Sequence, residues 1–162
     1  MKKTLLLTTA LSGLLIILPA TAQVPVQPEL DHARLLASPD PRLAANKRLV
    51  YDFWREVFEA GNLERADRYL AESYIQHNPR VPTGRAGFVE FFGKIAKPRP
   101  VEARVRTPIV SMLAEGDLVT VAFVREYPDP REPGKTYTST WFDQFRIQDG
   151  LIVEHWDAAT RQ

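Results

Sequence analysis

Apolar residues recur at helical spacing in the first half of the chain and alternate with polar residues in the second half. The clearest helical stretch has one broad apolar face, formed by Leu49, Val50, Phe53, Trp54, Val57 and Phe58. Asp40 is a suitable N-cap, Pro41 suits the first helical position, and Gly61 suits the end of a helix. The pattern therefore predicts a first helix between these signals.

Two shorter helices are predicted after the first one. The earlier of them begins after Asn62, and its inward positions are Ala66, Tyr69 and Leu70. It should end before the segment NPRVPTG, because its prolines cannot continue a helix. The later one begins near residue 84, and its apolar positions are Phe88, Phe91, Phe92 and Ile95.

After residue 100 the hydrophobic period changes to two, which predicts four β-strands. Their sequences are VEARVRTPIVSML, LVTVAFVREY, TYTSTWFDQFRI and LIVEHWDAA. The pair Asp149-Gly150 between the last two is a strong hairpin signal. Helices followed by meandering antiparallel strands are typical of an α+β domain. We expect a curled, mainly antiparallel sheet whose concave face is covered by the three helices, which leaves a conical cavity between the layers.

The first 22 residues have the pattern of a secretory signal peptide. Lys2 and Lys3 precede an apolar run from Leu5 to Leu18, and small residues lead up to Ala22. The apolar run is shorter than the roughly 20 residues that cross a bilayer. We therefore predict cleavage after Ala22, no stable membrane insertion afterwards, and a periplasmic or secreted protein.

Composition limits the choice of partners. The chain has 21 Lys and Arg residues, 20 Asp and Glu residues, and no cysteine. A near-neutral chain without a basic cluster is not expected to bind nucleic acid or an anionic membrane. Without disulfides, an exported domain depends on a conventional core. We predict a Pro-rich linker or N-terminal arm at 23–41, one domain at 42–159 and a tail at 160–162.

Two motifs carry a family resemblance. They are YIQHNP, which begins at Tyr74, and DQFRIQDGLIVEHWD, which begins at Asp143. With these motifs, residues 46–159 resemble the SnoaL-like polyketide cyclase family of the nuclear-transport-factor-2-like superfamily, especially its aldol-condensation-catalysing branch. The resemblance implies a cone-shaped α+β barrel with a deep pocket, in which Asp143 is the general acid/base and His77 lies nearby. On the strand LVTVAFVRE this chain has alanine and valine where members of that branch often have histidines.

Asp143 is an acidic residue on the apolar face of a predicted strand. Alternation places it with Trp141 and Phe145, whose rings would partly desolvate the carboxyl group and favour its neutral form. A carboxyl group in such a place can move a proton between a carbon next to a carbonyl and an oxygen. The alternatives are that Asp143 pairs with a buried arginine or tyrosine, or that it lies in water at a strand end.

His77 is the second candidate catalytic residue. It could bond a substrate carbonyl, share a proton with Asp143, or fix its own turn by bonding a backbone carbonyl. His155 and Trp156 lie on opposite faces of a predicted strand, so only one of them can face the cavity. The predicted substrate-binding residues are Trp54, Tyr74, Phe92, Phe123, Trp141, His155 and Trp156.

Three functions are compatible with these features. The first is a cofactor-independent enzyme, an aldol-type cyclase, isomerase or lyase, that acts on a small and largely apolar carbonyl compound. The second is a non-catalytic protein that binds a small ligand, and the third is an interaction module that forms a homodimer through its outer sheet face. Three histidines leave few metal ligands, so we predict no metal and no cofactor. Arg125 and Arg146 are candidates for an anion contact or for an ion pair with an acid.

Overall fold

The structure is a computed structural model, and it describes residues 24–161. The predicted signal peptide therefore lies outside the described residues. Among the described residues, none of the helices combines the length and the apolar character that a membrane crossing requires.

Most of the helices precede the strands in the chain, and one lies between the first two strands. They are α1 (His32–Leu36), α2 (Pro41–Phe53), a π-helical segment (Trp54–Glu59) that continues α2, a 3₁₀ helix (Leu63–Arg68) and α3 (Arg85–Gly93). Asp40 caps α2 as predicted, because its Oδ1 accepts hydrogen bonds from the backbone N–H groups of Arg42 and Leu43 at 2.8 and 3.4 Å. The first and third predicted helices are confirmed.

The second predicted helix is largely wrong. Only the 3₁₀ helix is helical there, and the following residues form strand β1 (Leu70–Gln76). Leu70 and Tyr74 are both buried and lie four residues apart, on the same face of the strand. A spacing of four imitates the period of a helix, which explains the error.

Within residues 24–161 the sheet has five strands. The other four are β2 (Ile109–Glu115), β3 (Leu118–Pro128), β4 (Thr136–Gln148) and β5 (Leu151–Asp157), and the spatial order is β1-β5-β4-β3-β2. Only β1 and β5 run parallel; the other three pairs are antiparallel. The four predicted strands and the α+β class are confirmed, although the first of the four begins at Ile109 rather than near residue 101.

The hydrophobic core lies between the helices and the concave face of the sheet. On β4 the inward residues Asp143, Phe145 and Ile147 are buried, while Phe142 on the opposite face is 53% exposed. Helix α2 packs against β2 and β3, and α3 packs against β1. One end of the layer between helices and sheet is filled by side chains, and the other contains the cavity described below.

The N-terminal arm is attached to the domain. The Val26 N–H donates to Thr138 Oγ1 at 2.7 Å, and the Glu29 N–H donates to the Ile109 carbonyl at 2.8 Å. The ammonium group of Lys47 on α2 donates to the carbonyls of Leu35 and Ala37 at 3.1 and 2.9 Å. These bonds hold α1 against the helical layer, so this part of the predicted linker is an ordered element of the fold.

Candidate active site

A cavity of about 260 Å³ lies between the helices and the concave face of the sheet. Most of its wall is aromatic or aliphatic, and the residues on this part of the wall are Phe53, Trp54, Phe58, Tyr74, Val81, Phe88, Phe91, Phe92, Trp141 and Phe145. Its polar wall consists of Gln76, Asn78, Arg80, Arg125, Asp143, His155 and Asp157. The volume is below the roughly 300–1,000 Å³ of pockets for drug-sized ligands, so the cavity suits a small molecule.

Three neighbouring strands place the polar groups together. Asp143 on β4 lies directly opposite Asp157 on β5, and His155 lies opposite Phe145, two residues along. On the other side of β5, Gln76 of β1 pairs with His155. The side chains of Asp143 and His155 are 5% and 8% exposed, so this pair is almost completely removed from water.

The hydrogen bonds fix the orientation of Gln76 and the tautomer of His155. The backbone N–H of Asn78 can only donate, and it lies 2.9 Å from Gln76 Oε1, which identifies that atom as the acceptor. His155 Nδ1 lies 2.8 Å from the same oxygen and therefore carries a hydrogen. The amide nitrogen of Gln76 donates to the Tyr74 hydroxyl oxygen at 3.0 Å.

This tautomer determines how Asp143 and His155 interact. His155 Nε2 lies 2.9 Å from Asp143 Oδ1, and since Nδ1 already holds a hydrogen, one further proton must lie between these two atoms. The pair is either an imidazolium with a carboxylate or a neutral imidazole with a carboxylic acid. The site therefore contains a buried pair with one exchangeable proton.

The second carboxyl oxygen of Asp143 is free for other chemistry. Oδ2 is buried, and among the described residues it has no hydrogen-bond partner. Buried polar atoms in proteins are nearly always bonded, and exceptions occur at catalytic sites. Oδ2 is thus the atom of the pair that can exchange a proton with a ligand.

Tyr74 provides a hydrogen-bond donor beside this pair. Burial, and after it the charges of Asp143 and Asp157, raise the pKa of the Tyr74 phenol above its usual range, so the hydroxyl keeps its hydrogen. Its oxygen already accepts from Gln76, which leaves the hydroxyl hydrogen for an oxygen atom in the cavity. A phenol in this state can polarise a carbonyl group.

The structure brings five of the predicted substrate-binding residues to the cavity. They are Trp54, Tyr74, Phe92, Trp141 and His155. Phe123 is buried behind the wall, where its ring stacks on Trp54 with centroids 4.4 Å apart. Trp156 lies on the outer face of the sheet, so His155 is the member of that pair that faces the cavity.

The position expected for His77 requires a correction. His77 follows Gln76 on the chain, and because Gln76 faces the cavity, His77 points to the outer face. There its Nε2 lies 2.8 Å from Glu154 Oε1, and its ring stacks on Trp156 with an interplanar angle of 4°. The residue that shares a proton with Asp143 is therefore His155, not His77. The hydrogen bond from His77, followed by the bond from Arg146, lowers the pKa of Glu154 below its usual range.

Gln76 and Asn78 are cavity residues that the sequence did not single out, and Asp157 was considered only as a possible metal ligand beside His155. Asp157 accepts hydrogen bonds from Asn78 Nδ2 at 2.7 Å and from the Ala159 N–H at 2.8 Å. If YIQHNP had been read as a strand, alternation would have placed Tyr74, Gln76 and Asn78 on one face. Because the preceding residues were interpreted as a helix, this alternation was not recognised.

Asp143, His155 and Asp157 also offer ligand atoms that lie within 4.8 Å of one another. A cation there would have to replace the proton shared by His155 and Asp143, because metal ligands must be deprotonated. Both oxygens of Asp157 already accept hydrogen bonds from Asn78 and Ala159. The sequence-based expectation of no metal stays a prediction.

The assigned tautomer can be tested with Gln76→Met. This variant removes the acceptor for His155 Nδ1–H, which should let the second tautomer of the imidazole appear. The two donors that lose their partner should lower the free energy of unfolding by about 1–3 kcal/mol. Nitrogen-15 NMR of labelled histidine should show a hydrogen on Nδ1 of His155 in the wild type and a mixture in the variant.

Gln144→Met is the matched control for this measurement. Gln144 bonds Thr120 Oγ1 at 3.1 Å away from the cavity, so its loss should leave the His155 signals unchanged. An unprotonated Nδ1 in the wild type would show that the hydrogen-bond assignment is wrong.

Comparisons with known proteins agree with this architecture. The sequence profile of the SnoaL-like domain matches residues 50–155, while no curated protein shows significant sequence similarity. A candidate polyketide cyclase from Acidithiobacillus ferrooxidans superposes with a TM-score of 0.50 and 23% identity, over 75% of this chain and 89% of the other. For an LEH-like epoxide hydrolase from M. tuberculosis the TM-score is 0.51 with 16% identity, over 72% and 84%.

A third similar structure has no assigned activity. It is a Xanthomonas campestris protein of unknown function with a cystatin-like fold, with a TM-score of 0.50 and 19% identity over 72% of this chain and 92% of the other. At these identities the structural matches establish the fold alone, whereas the profile covers well over half of the chain. The chain belongs to the SnoaL-like domain family.

Proposed function

We propose that this protein is an exported, cofactor-independent acid–base enzyme that acts on a small carbonyl compound. The observation that carries the proposal is the buried Asp143–His155 pair, which holds one proton and leaves Asp143 Oδ2 unpaired beside an aromatic cavity. The export part rests on the N-terminal signal sequence alone.

The geometry gives each residue a role in removing a proton next to a carbonyl. With the pair in its imidazolium–carboxylate form, Asp143 Oδ2 takes a proton from the α-carbon. The electrons of the C–H bond move towards the carbonyl oxygen. The Tyr74 hydroxyl donates to that oxygen as negative charge develops. His155 contacts Oδ1 and so orients the carboxylate, and the protonated Asp143 then returns the proton to carbon or oxygen.

Two reaction classes share this first step. Return of the proton to another position gives an isomerisation, whereas attack of the enolate carbon on a second carbonyl gives an aldol-type cyclisation. Membership of the SnoaL-like family, and the fold shared with a candidate polyketide cyclase from Acidithiobacillus ferrooxidans, support the cyclisation. A lyase reaction would break the carbon–carbon bond that the aldol-type cyclisation forms. The aromatic wall limits the access of water to the enolate, which suits the isomerisation, the cyclisation and the lyase reaction alike.

The proposal is tested by exchange of α-hydrogens in D₂O. Purified protein, dialysed against EDTA, is incubated with small ketones and 1,3-dicarbonyl compounds, and loss of the α-hydrogen signals is followed by proton NMR. We expect exchange faster than in buffer for at least one class of compound, and the same rate for His77→Gln, because His77 lies outside the cavity. Activity that disappears with EDTA would contradict the cofactor-independent mechanism.

The same assay separates the enzyme from a binding protein. If compounds bind but none exchanges faster than in buffer, the proposal fails and the cavity belongs to a non-catalytic carrier of small ligands.

A further inference from the structure

A second charged group lines the cavity far from the proton-sharing pair. Arg125 on β3 lies opposite Ser139 on β4, whereas Asp143 lies opposite Val121, four residues earlier on β3. At about 3.3 Å per strand residue, the two backbone positions are roughly 13 Å apart on the same face of the sheet. The ring of Trp141 lies between them, with the Arg125 guanidinium carbon 5.9 Å from its centroid.

Arg125 differs from the other partly buried arginines in its partners. Arg146 pairs with Asp117 and Glu154, and Arg55 pairs with Asp52 and Glu56. For Arg125 the described residues provide the Trp141 ring and no carboxylate. A half-buried guanidinium that is held over an aromatic ring keeps its N–H groups available for a planar anion.

The other cation of the cavity wall is occupied. Arg80 donates through Nε and one terminal nitrogen to the Thr160 carbonyl, at 3.2 and 3.0 Å. Asp143 and Asp157 mark the opposite end of the cavity. Among the described residues, the cavity wall thus has a carboxylate-containing end and, at the other end, a guanidinium without a hydrogen-bond partner, with aromatic rings between them.

From this arrangement we infer that the ligand is a small organic acid, with its carboxylate on Arg125, an apolar body along Trp141, and its carbonyl at Asp143 and Tyr74. A single arginine fork matches a carboxylate through two parallel N–H bonds. The acidic residues at the far end would repel the same anion, so the charge fixes which end of the ligand reaches Asp143. The placement of the ligand's carbonyl at Asp143 and Tyr74 rests on the proposed function. The contact between the ligand's carboxylate and Arg125 does not depend on that function.

The test compares an acid with its neutral ester. The probes are 3-(4-acetylphenyl)propanoate, which has a carboxylate, a ring and a ketone in that order, and its methyl ester, with binding followed by tryptophan fluorescence. Charge-assisted hydrogen bonds of this kind should make the acid bind about 10–100-fold more tightly to the wild type. Arg125→Gln should abolish the preference, and Arg125→Lys should keep part of it. Arg131→Gln, in an exposed loop, is the control and should behave as the wild type.

Three results would overturn the inference. They are equal affinity of the wild type for acid and ester, an undiminished preference in Arg125→Gln, and tighter binding of 3-phenylpropyl phosphate than of the acid, which would make phosphate the preferred anion. Asp143→Asn separates this inference from the proposed function, because it should keep the preference for the acid. A preference that depends on Arg125 in a protein without α-hydrogen exchange would support the inference and refute the enzyme. Exchange of α-hydrogens by a protein that binds acid and ester equally would support the enzyme and refute the inference.

Discussion

Asp143→Asn should lower the rate of α-hydrogen exchange by about 10²–10⁴-fold, the usual contribution of a general base. The amide has the shape of the carboxyl group but cannot take up the proton from carbon. Because His155 Nδ1 carries the hydrogen bonded to Gln76, Nε2 of the neutral imidazole can accept a bond from the new amide. The side chain should therefore keep its place while losing its chemistry.

The measurement has to separate lost chemistry from lost structure. Exchange rates are determined at saturating ketone, and the denaturation midpoint and ligand affinity are measured on the same samples. Both should stay close to the wild-type values. His155→Gln and the double variant complete the set: residues that act as one unit are strongly non-additive, so the double variant should be little worse than Asp143→Asn. Retention of exchange by Asp143→Asn would exclude Asp143 as the base.

The parts of the site that could be predicted are those on regular, uninterrupted strands. On β4 the alternation from Trp141 to Ile147 is unbroken, and it correctly placed Asp143 among aromatic residues on the inner face. The cap at Asp40 and the broad apolar face of α2 likewise correspond to local rules that the tertiary structure does not override.

The parts that could not be predicted lie at irregular positions in the sheet. On β5, Ile152 and His155 both face inward although they are three residues apart, because the pairing with β4 shifts register between Arg146 and Ile147. Strict alternation from Ile152 would have placed Glu154 and Trp156 inside. The bulge turns His155 towards Asp143. The sequence LIVEHWD contains no local feature that indicates a bulge.

The site thus depends on an interruption of the sheet. The shift in the pairing of β4 with β5 brings His155 to Asp143, whereas regular alternation places Gln76 on the same face of β1 as Tyr74, beside His155. Bulges are common beside active sites because they redirect one side chain without changing the rest of the sheet. In this domain the bulge on β5 joins a buried acid to His155 and Gln76 in a hydrogen-bonded group of three residues.

Phe145→Ala should be strongly destabilising, by about 3–5 kcal/mol in the free energy of unfolding. Phe145 is 1% exposed, and its ring contacts those of Phe53 on α2 and His155 on β5, with centroids 6.2 and 4.8 Å away. The substitution removes the ring that joins the helical layer to the sheet at the base of the cavity. Since domains are stable by only about 5–15 kcal/mol, the loss should be plain in urea denaturation.

Phe142→Ala is the matched control, because Phe142 is on the same strand but faces outward with 53% of its surface exposed. Its loss should change the free energy of unfolding by no more than about 0.5 kcal/mol. Similar losses in both variants would mean that β4 does not present one buried and one exposed face, and the position of Asp143 inside the cavity would then be wrong as well. A large loss for Phe145→Ala alone would support the face assignment on which the proton-sharing pair depends.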